Sequence, residues 1–131
     1  MTFAPMRALV ISFAVAVAPY SHGQTPLSDS ARVIEANAQA MRLANPDPAG
    51  AIAKARESLA LSRRIGFKGG AAQALGYLGY AFTRNSQFDS ANVAFGASLA
   101  AYLELGDSCN YAAALHNAGL NLQMQQKHDT A

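Results

Sequence analysis

Shifted against itself by 40 positions, the chain brings like residues into register over most of its length. Self-similarity at a fixed period restricts a sequence to architectures that stack one structural unit on the next. Between Ile65–Ala91 and Leu105–Ala131, seven of 27 pairs are identical, including Gly66/Gly106, Leu75/Leu115, Gly79/Gly119, Asp89/Asp129 and Ala91/Ala131. The same shift matches Asn45/Asn85, Ala51/Ala91, Ser58/Ser98 and Leu59/Leu99, so one register runs through 87 residues. Alanine is abundant and pairs by chance. The weight therefore rests on the Gly, Leu, Asn and Asp pairs.

Those pairs fall where helix chemistry needs them. Asn45-Pro46-Asp47-Pro48 is a break followed by a start: Asp47 suits the N-cap, and Pro48 suits the first helical position, where its missing N–H is no loss. No breaker interrupts the chain from Pro48 to Ile65, and Gly66 is placed to close that helix in a left-handed conformation. Between Ala71 and Arg84, Ala74, Leu75, Leu78 and Phe82 recur at intervals of three and four, which is one face of a helix. The spacing predicts further helices from Ser28-Asp29 to about Ala44, from about Phe88 to Leu105 before Gly106, and from about Ser108 to Met124. In the last of these, Ala114, Leu115, Ala118 and Leu122 repeat the apolar face. Gly76 and Gly79 sit inside a helix, where glycine costs about 1 kcal/mol relative to alanine. Gly79 recurs as Gly119, and the expected return is close approach of paired helices, with Gly79 facing Ala91 and Phe95. A hinge is the alternative.

The N-terminus reads differently. One positive charge at Arg7 is followed by the uncharged, apolar-rich run Ala8–Ala18 and a polar turn, the layout of a secretory signal. Eleven residues, ten of them apolar, extend only about 16 Å as a helix, short of a bilayer crossing. Ser21 and Gly23 present small side chains to a signal peptidase, so residues 1–23 are expected to leave as a signal peptide. The alternative is a buried N-terminal helix. Residues 24–131 then form an exported, periplasmic or secreted domain with no permanent membrane anchor. A formal charge of +2, falling to +1 without Arg7, directs the chain to neither nucleic acid nor acidic lipid. With 51% apolar and 14% charged residues, it is not a disordered polyelectrolyte.

The repeated unit resembles the tetratricopeptide repeat. Leu75, Leu78, Gly79 and Phe82, then Ala91, Phe95 and Ser98, occupy that family's signature positions; Leu115, Ala118, Gly119, Leu122 and Ala131 begin another copy. Ala51, Ala55 and Ser58 match a preceding second helix, but its first helix places Glu35, Ala38, Gln39 and Arg42 where apolar residues belong. The period of 40 matches a longer-helix variant found in bacterial regulators. The resemblance implies an all-α, right-handed solenoid of antiparallel helix pairs over residues 24–131. It would comprise an irregular repeat at about 28–66, a full one at 67–106 and an incomplete one at 107–131. Lys127–Ala131 would open the next helix, and the apolar face of 107–131 would be left uncovered, open to a partner or to self-association.

No reactive constellation emerges. His116 and His128 lie twelve apart with no carboxylate at metal-helix spacing, and Cys109 has no partnered base. Gly66-Phe67-Lys68-Gly69-Gly70 lacks the phosphate-loop ending. Arg63, Arg64 and Lys68 read as a solvated helix end. No cofactor, metal or catalytic residue is expected. The resemblance instead implies a concave groove lined by Gln73, Tyr77, Tyr80, Thr83 and Arg84 of one first helix and His116, Asn117, Leu120 and Gln123 of the next. Tyr80 can equally be read as packing between repeats. The expected function is non-enzymatic binding of a protein or peptide. Rival readings are the sensor part of a histidine kinase or cyclase whose output domain is missing, and a small hydrolase using His116 or Cys109.

Overall fold

The computed structural model describes residues 27–131, so the proposed signal peptide lies outside the described residues. Five helices follow in order: α1 (Asp29–Leu43), α2 (Pro48–Ile65), α3 (Lys68–Arg84), α4 (Phe88–Leu105) and α5 (Ser108–Thr130). Among the described residues there is no strand, and no helix is long and apolar enough to cross a membrane.

Local chemistry sets the boundaries. Ser28, Asp47 and Asp107 accept from the backbone N–H three residues on, at 3.2, 3.0 and 3.1 Å, and so cap α1, α2 and α5. Gly66 and Gly106 close α2 and α4 with φ of 71° and 68°, which an L side chain rarely adopts. The following amides, Phe67 and Asp107, donate back to Ser62 and Tyr102 O at 2.8 and 3.0 Å, satisfying carbonyls that the helix end would orphan. One boundary differs from expectation. α5 runs unbroken past Met124 to Thr130, because nothing from Leu120 to Asp129 is a breaker; Lys127–Thr130 is the end of this helix and not the start of another.

Contacts order the helices into two layers. α1, α3 and α5 run parallel, joined by Asn37 to Gly70 and Gln73 and by Thr83 to Asn121. α2 and α4 run antiparallel to them on the other side. The close approach that the glycine spacing predicts is present: a Cβ built on Gly79 would lie 2.9 Å from Cγ, Cδ1 and Cε1 of Phe95. Around this contact the core gathers Leu75, Leu78 and Phe82 of α3 with Ala91, Ala94 and Phe95 of α4, and continues through Ala51, Ile52, Ala55 and Leu59 of α2 to Ala40 and Ala44. Arg56 lies over the Phe82 ring, 5.5 Å from its centroid.

The first helix departs from the 40-residue register. Ser58 and Ser98, 40 apart, donate to the carbonyls of Val33 and Ala72, which are 39 apart. The turns account for the difference. Asp47 N bonds Leu43 O, whereas Gln87 N bonds Phe82 O one residue further back, the extra residue being Ser86 at φ 59°. α1 therefore buries Val33, Ala36, Asn37 and Ala40 rather than the Glu35, Ala38, Gln39 and Arg42 set.

Gly119 does not repeat the Gly79 contact: a Cβ there would meet nothing within 4 Å. Leu115 and Leu122, the counterparts of Leu75 and Phe82, are 52% and 57% exposed against 9% and 6%. We therefore predict opposite signs for one substitution. Gly79→Ala is expected to destabilise by about 1–3 kcal/mol, overpacking against Phe95 outweighing the helix gain. Gly119→Ala is expected to stabilise by up to about 1 kcal/mol. Urea unfolding of both variants measures the pair, and equal effects would contradict this packing.

Candidate functional site

Parallel α3 and α5 leave an open channel between them, and the 3.6-residue period decides what faces it. On α3, Gln73, Tyr77, Tyr80 and Arg84 follow at four, three and four, which makes one stripe. Gln73, Gly76 and Tyr77 meet Asn110, Ala113, Ala114 and Asn117 of α5 around a cavity of about 120 Å³, backed by Tyr102 of α4. Of the predicted groove residues, the structure thus brings together Gln73, Tyr77 and Asn117.

A polar relay orients this wall. Asn37 Nδ2 donates to Gln73 Oε1 at 3.1 Å, leaving the Gln73 amide to donate to the Tyr77 hydroxyl at 3.4 Å. The phenol proton of Tyr77 is then free to point into the cavity, and Asn117 makes no side-chain hydrogen bond among the described residues. At the back, burial pushes the Tyr102 phenol up to about 12, with Tyr77 and the Asp107 carboxylate adding to the shift. The floor of the groove is therefore a neutral, protonated tyrosine.

The other predicted residues stand elsewhere. Tyr80 is half-buried and its hydroxyl donates to Asn45 Oδ1 at 3.4 Å, tying α3 to the first turn. Thr83 is not a groove residue: it is buried, with its hydroxyl placed between Gly79 O at 3.0 Å and Asn121 Oδ1 at 2.8 Å. Its single proton can serve one of these two acceptors, and the shorter contact gives it to Asn121 of α5. Arg84, His116, Leu120 and Gln123 are exposed and do not line the cavity.

Sequence reasoning missed the joint that holds α5 in place. Asn121 is fully buried; its amide donates to Phe88 O at 3.1 Å and to Asn92 Oδ1 at 2.6 Å while its carbonyl accepts from Thr83. Asn92 in turn donates to Gln125 Oε1, whose amide reaches Asp89. The available signal was an asparagine seven residues after Ala114, on the buried stripe. Tyr102 and Asn110 were also missed as groove residues. A larger cleft of about 480 Å³ between α1 and α2 was not foreseen either; Arg32, Glu35, Gln39, Lys54, Glu57 and Arg64 line it. Within it Lys54 pairs with Glu57 at 3.3 Å, while Glu35 and Arg32 pair with Arg42 and Asp29 outside the lining, at 3.0 and 3.9 Å. Hydrogen bonds from Gln39 and then Arg42 hold the Glu35 carboxyl below its ordinary range. Among the described residues, no three His, Cys, Asp or Glu side chains are grouped to hold a metal, and Cys109 is exposed.

The raised Tyr102 pKa carries a sign. A phenol whose folded value lies above its unfolded value of 10.0 contributes stability that is fully present below pH 10 and lost as pH rises through about 12. Thermal melts are expected to fall across that window, and Tyr102→Phe to flatten the fall; an unchanged slope would remove Tyr102 as its source. No protein-family model, curated protein or solved structure matches this chain.

Proposed function

We propose that the chain is an exported helical-repeat module of the tetratricopeptide type, a right-handed solenoid that binds a protein or peptide segment along the α3–α5 groove without catalysing a reaction. The observation that carries this reading is the convergence of Gln73, Tyr77, Asn110 and Asn117, from two parallel helices, on one open cavity. At about 120 Å³ the cavity is smaller than the roughly 300–1,000 Å³ typical of a small-molecule site. It suits one side chain of an extended segment lying in the channel. Rigid tyrosines with amide neighbours supply both contact area and hydrogen bonds at low entropic cost. Export is supported by the short apolar run at residues 8–18 and the small residues at Ser21 and Gly23.

Immobilised protein challenged with a display library of extended peptides is expected to enrich a common motif. Tyr77→Ala with Asn117→Ala should weaken the selected peptide by about tenfold or more, while circular dichroism stays unchanged. Failure to enrich any motif, or an affinity indifferent to both substitutions, would overturn the assignment.

A further inference from the structure

The layer opposite the α3–α5 groove holds a cavity of different chemistry. Between parallel α2 and α4, with α3 as floor, runs a furrow of about 350 Å³, inside the roughly 300–1,000 Å³ of small-molecule sites. Leu75, Leu78 and Phe82 form its floor and Val93, Ala94 and Ala97 its α4 wall, so six of the eight lining residues are apolar. From Leu75 to Phe82 the floor extends about 10 Å at the α-helical rise, the reach of a medium-length alkyl chain. Val93 is 75% exposed, which leaves apolar surface of the wall in water.

The charge beside this furrow has one sign. Arg63 of α2 lines it at the Leu75 end, because α2 and α3 are antiparallel and both residues lie toward the turn that joins them. Arg56, two turns earlier on α2, lies over the Phe82 ring at the other end, 5.5 Å from its centroid. Both arginines are exposed, and among the described residues neither enters an ion pair. The nearby carboxylates are engaged elsewhere. Glu57 holds Lys54 at 3.3 Å, Glu104 holds Lys68 at 3.8 Å, and Asp89 accepts from Gln125 of α5 at 3.1 Å. Ser90, the other polar lining residue, is neutral. An apolar trough flanked by two cations without a counter-charge is complementary to an amphiphile with an anionic head. A guanidinium suits a carboxylate in particular, since its planar fork can donate two parallel hydrogen bonds and stays charged at any ordinary pH.

We propose that the α2–α4 furrow binds a single amphiphilic carboxylate of medium chain length, a fatty acid of about ten carbons by the span of its floor. The carboxylate pairs with Arg63, and the alkyl chain lies along Leu75, Leu78 and Phe82 against Val93. Covering these side chains removes apolar surface from water, which supplies the affinity, while Arg63 selects the head group. The site is separate from the α3–α5 groove and does not depend on what that groove takes.

The probe is decanoate, titrated into the full chain by isothermal calorimetry at concentrations below micelle formation. One saturable site is expected, with a Kd below about 1 mM. Decyltrimethylammonium has the same chain and the opposite head charge, and should bind at least about tenfold more weakly. Arg63→Glu and Val93→Asp, both at exposed positions, should keep the native circular dichroism and each lower decanoate affinity by about tenfold or more. Arg63→Glu should also abolish the preference for the anion, whereas Arg63→Lys should retain part of it. Tyr77→Ala should leave decanoate binding unchanged; its loss would place the ligand in the other groove and overturn the proposal. Equal affinity for the two head groups overturns it, as does binding indifferent to Arg63→Glu and Val93→Asp. So does binding that begins only when micelles form, since that outcome assigns the furrow to an anionic surface and not to a single amphiphile.

Discussion

The Phe95 ring against the bare backbone of Gly79 sets the distance between α3 and α4, and most of the remaining architecture follows from it. With a side chain at Gly79 the two helices would have to separate, and the shell of small residues around them, Ala74, Ala91, Ala94 and Ser98, would no longer close. An alanine-rich core draws little from any one side chain, so it depends on helices lying near enough for many weak contacts to accumulate. Dense packing of this kind leaves no slack to be taken up elsewhere. Polar residues complete the arrangement where methyl groups cannot. Ser58 and Ser98 reach carbonyls of the facing helix, and Asn37 and Asn121 bind helix to helix across repeats.

What could be read from the sequence was what local chemistry decides. Asp47 before Pro48 and glycine after Ile65 and Leu105 mark helix boundaries through interactions spanning five residues or fewer, and the structure has them in those places. Gly79 against Phe95 was legible because a glycine inside a helix demands a reason and the repeat supplied the partner. The register of α1 was hidden by a single residue, Ser86, present in one turn and lacking in the other, which shifts one helix by 39 and its partner by 40. No identity count detects that offset when most matches are alanine.

The groove was half legible for a similar reason. Gln73, Tyr77 and Asn117 lie on helix stripes that the period identifies. Thr83 lies one residue off the stripe, and only its partner 38 positions away, Asn121, reveals that it serves the joint between repeats. Tyr102 is a buried residue of α4; that it also backs the groove depends on how α5 leans across α4, which is a property of three helices together.

Asn121 has a consequence for how the molecule comes apart. α5 is the longest helix, yet Ala114 and Asn121 are the side chains it buries fully, and much of its attachment passes through one carboxamide satisfied by Thr83, Phe88 and Asn92. Hydrogen bonds weaken together once water reaches one of them, whereas the Phe95 contact is protected by its surroundings. α5 is thus the segment that detaches at least cost, a separately opening unit on a stiffer four-helix base, and its amide protons would exchange with solvent ahead of those of α3 and α4. A ligand clasped between α3 and α5 would hold that unit shut, so occupancy of the groove would be registered as slowed exchange along the whole length of the last helix.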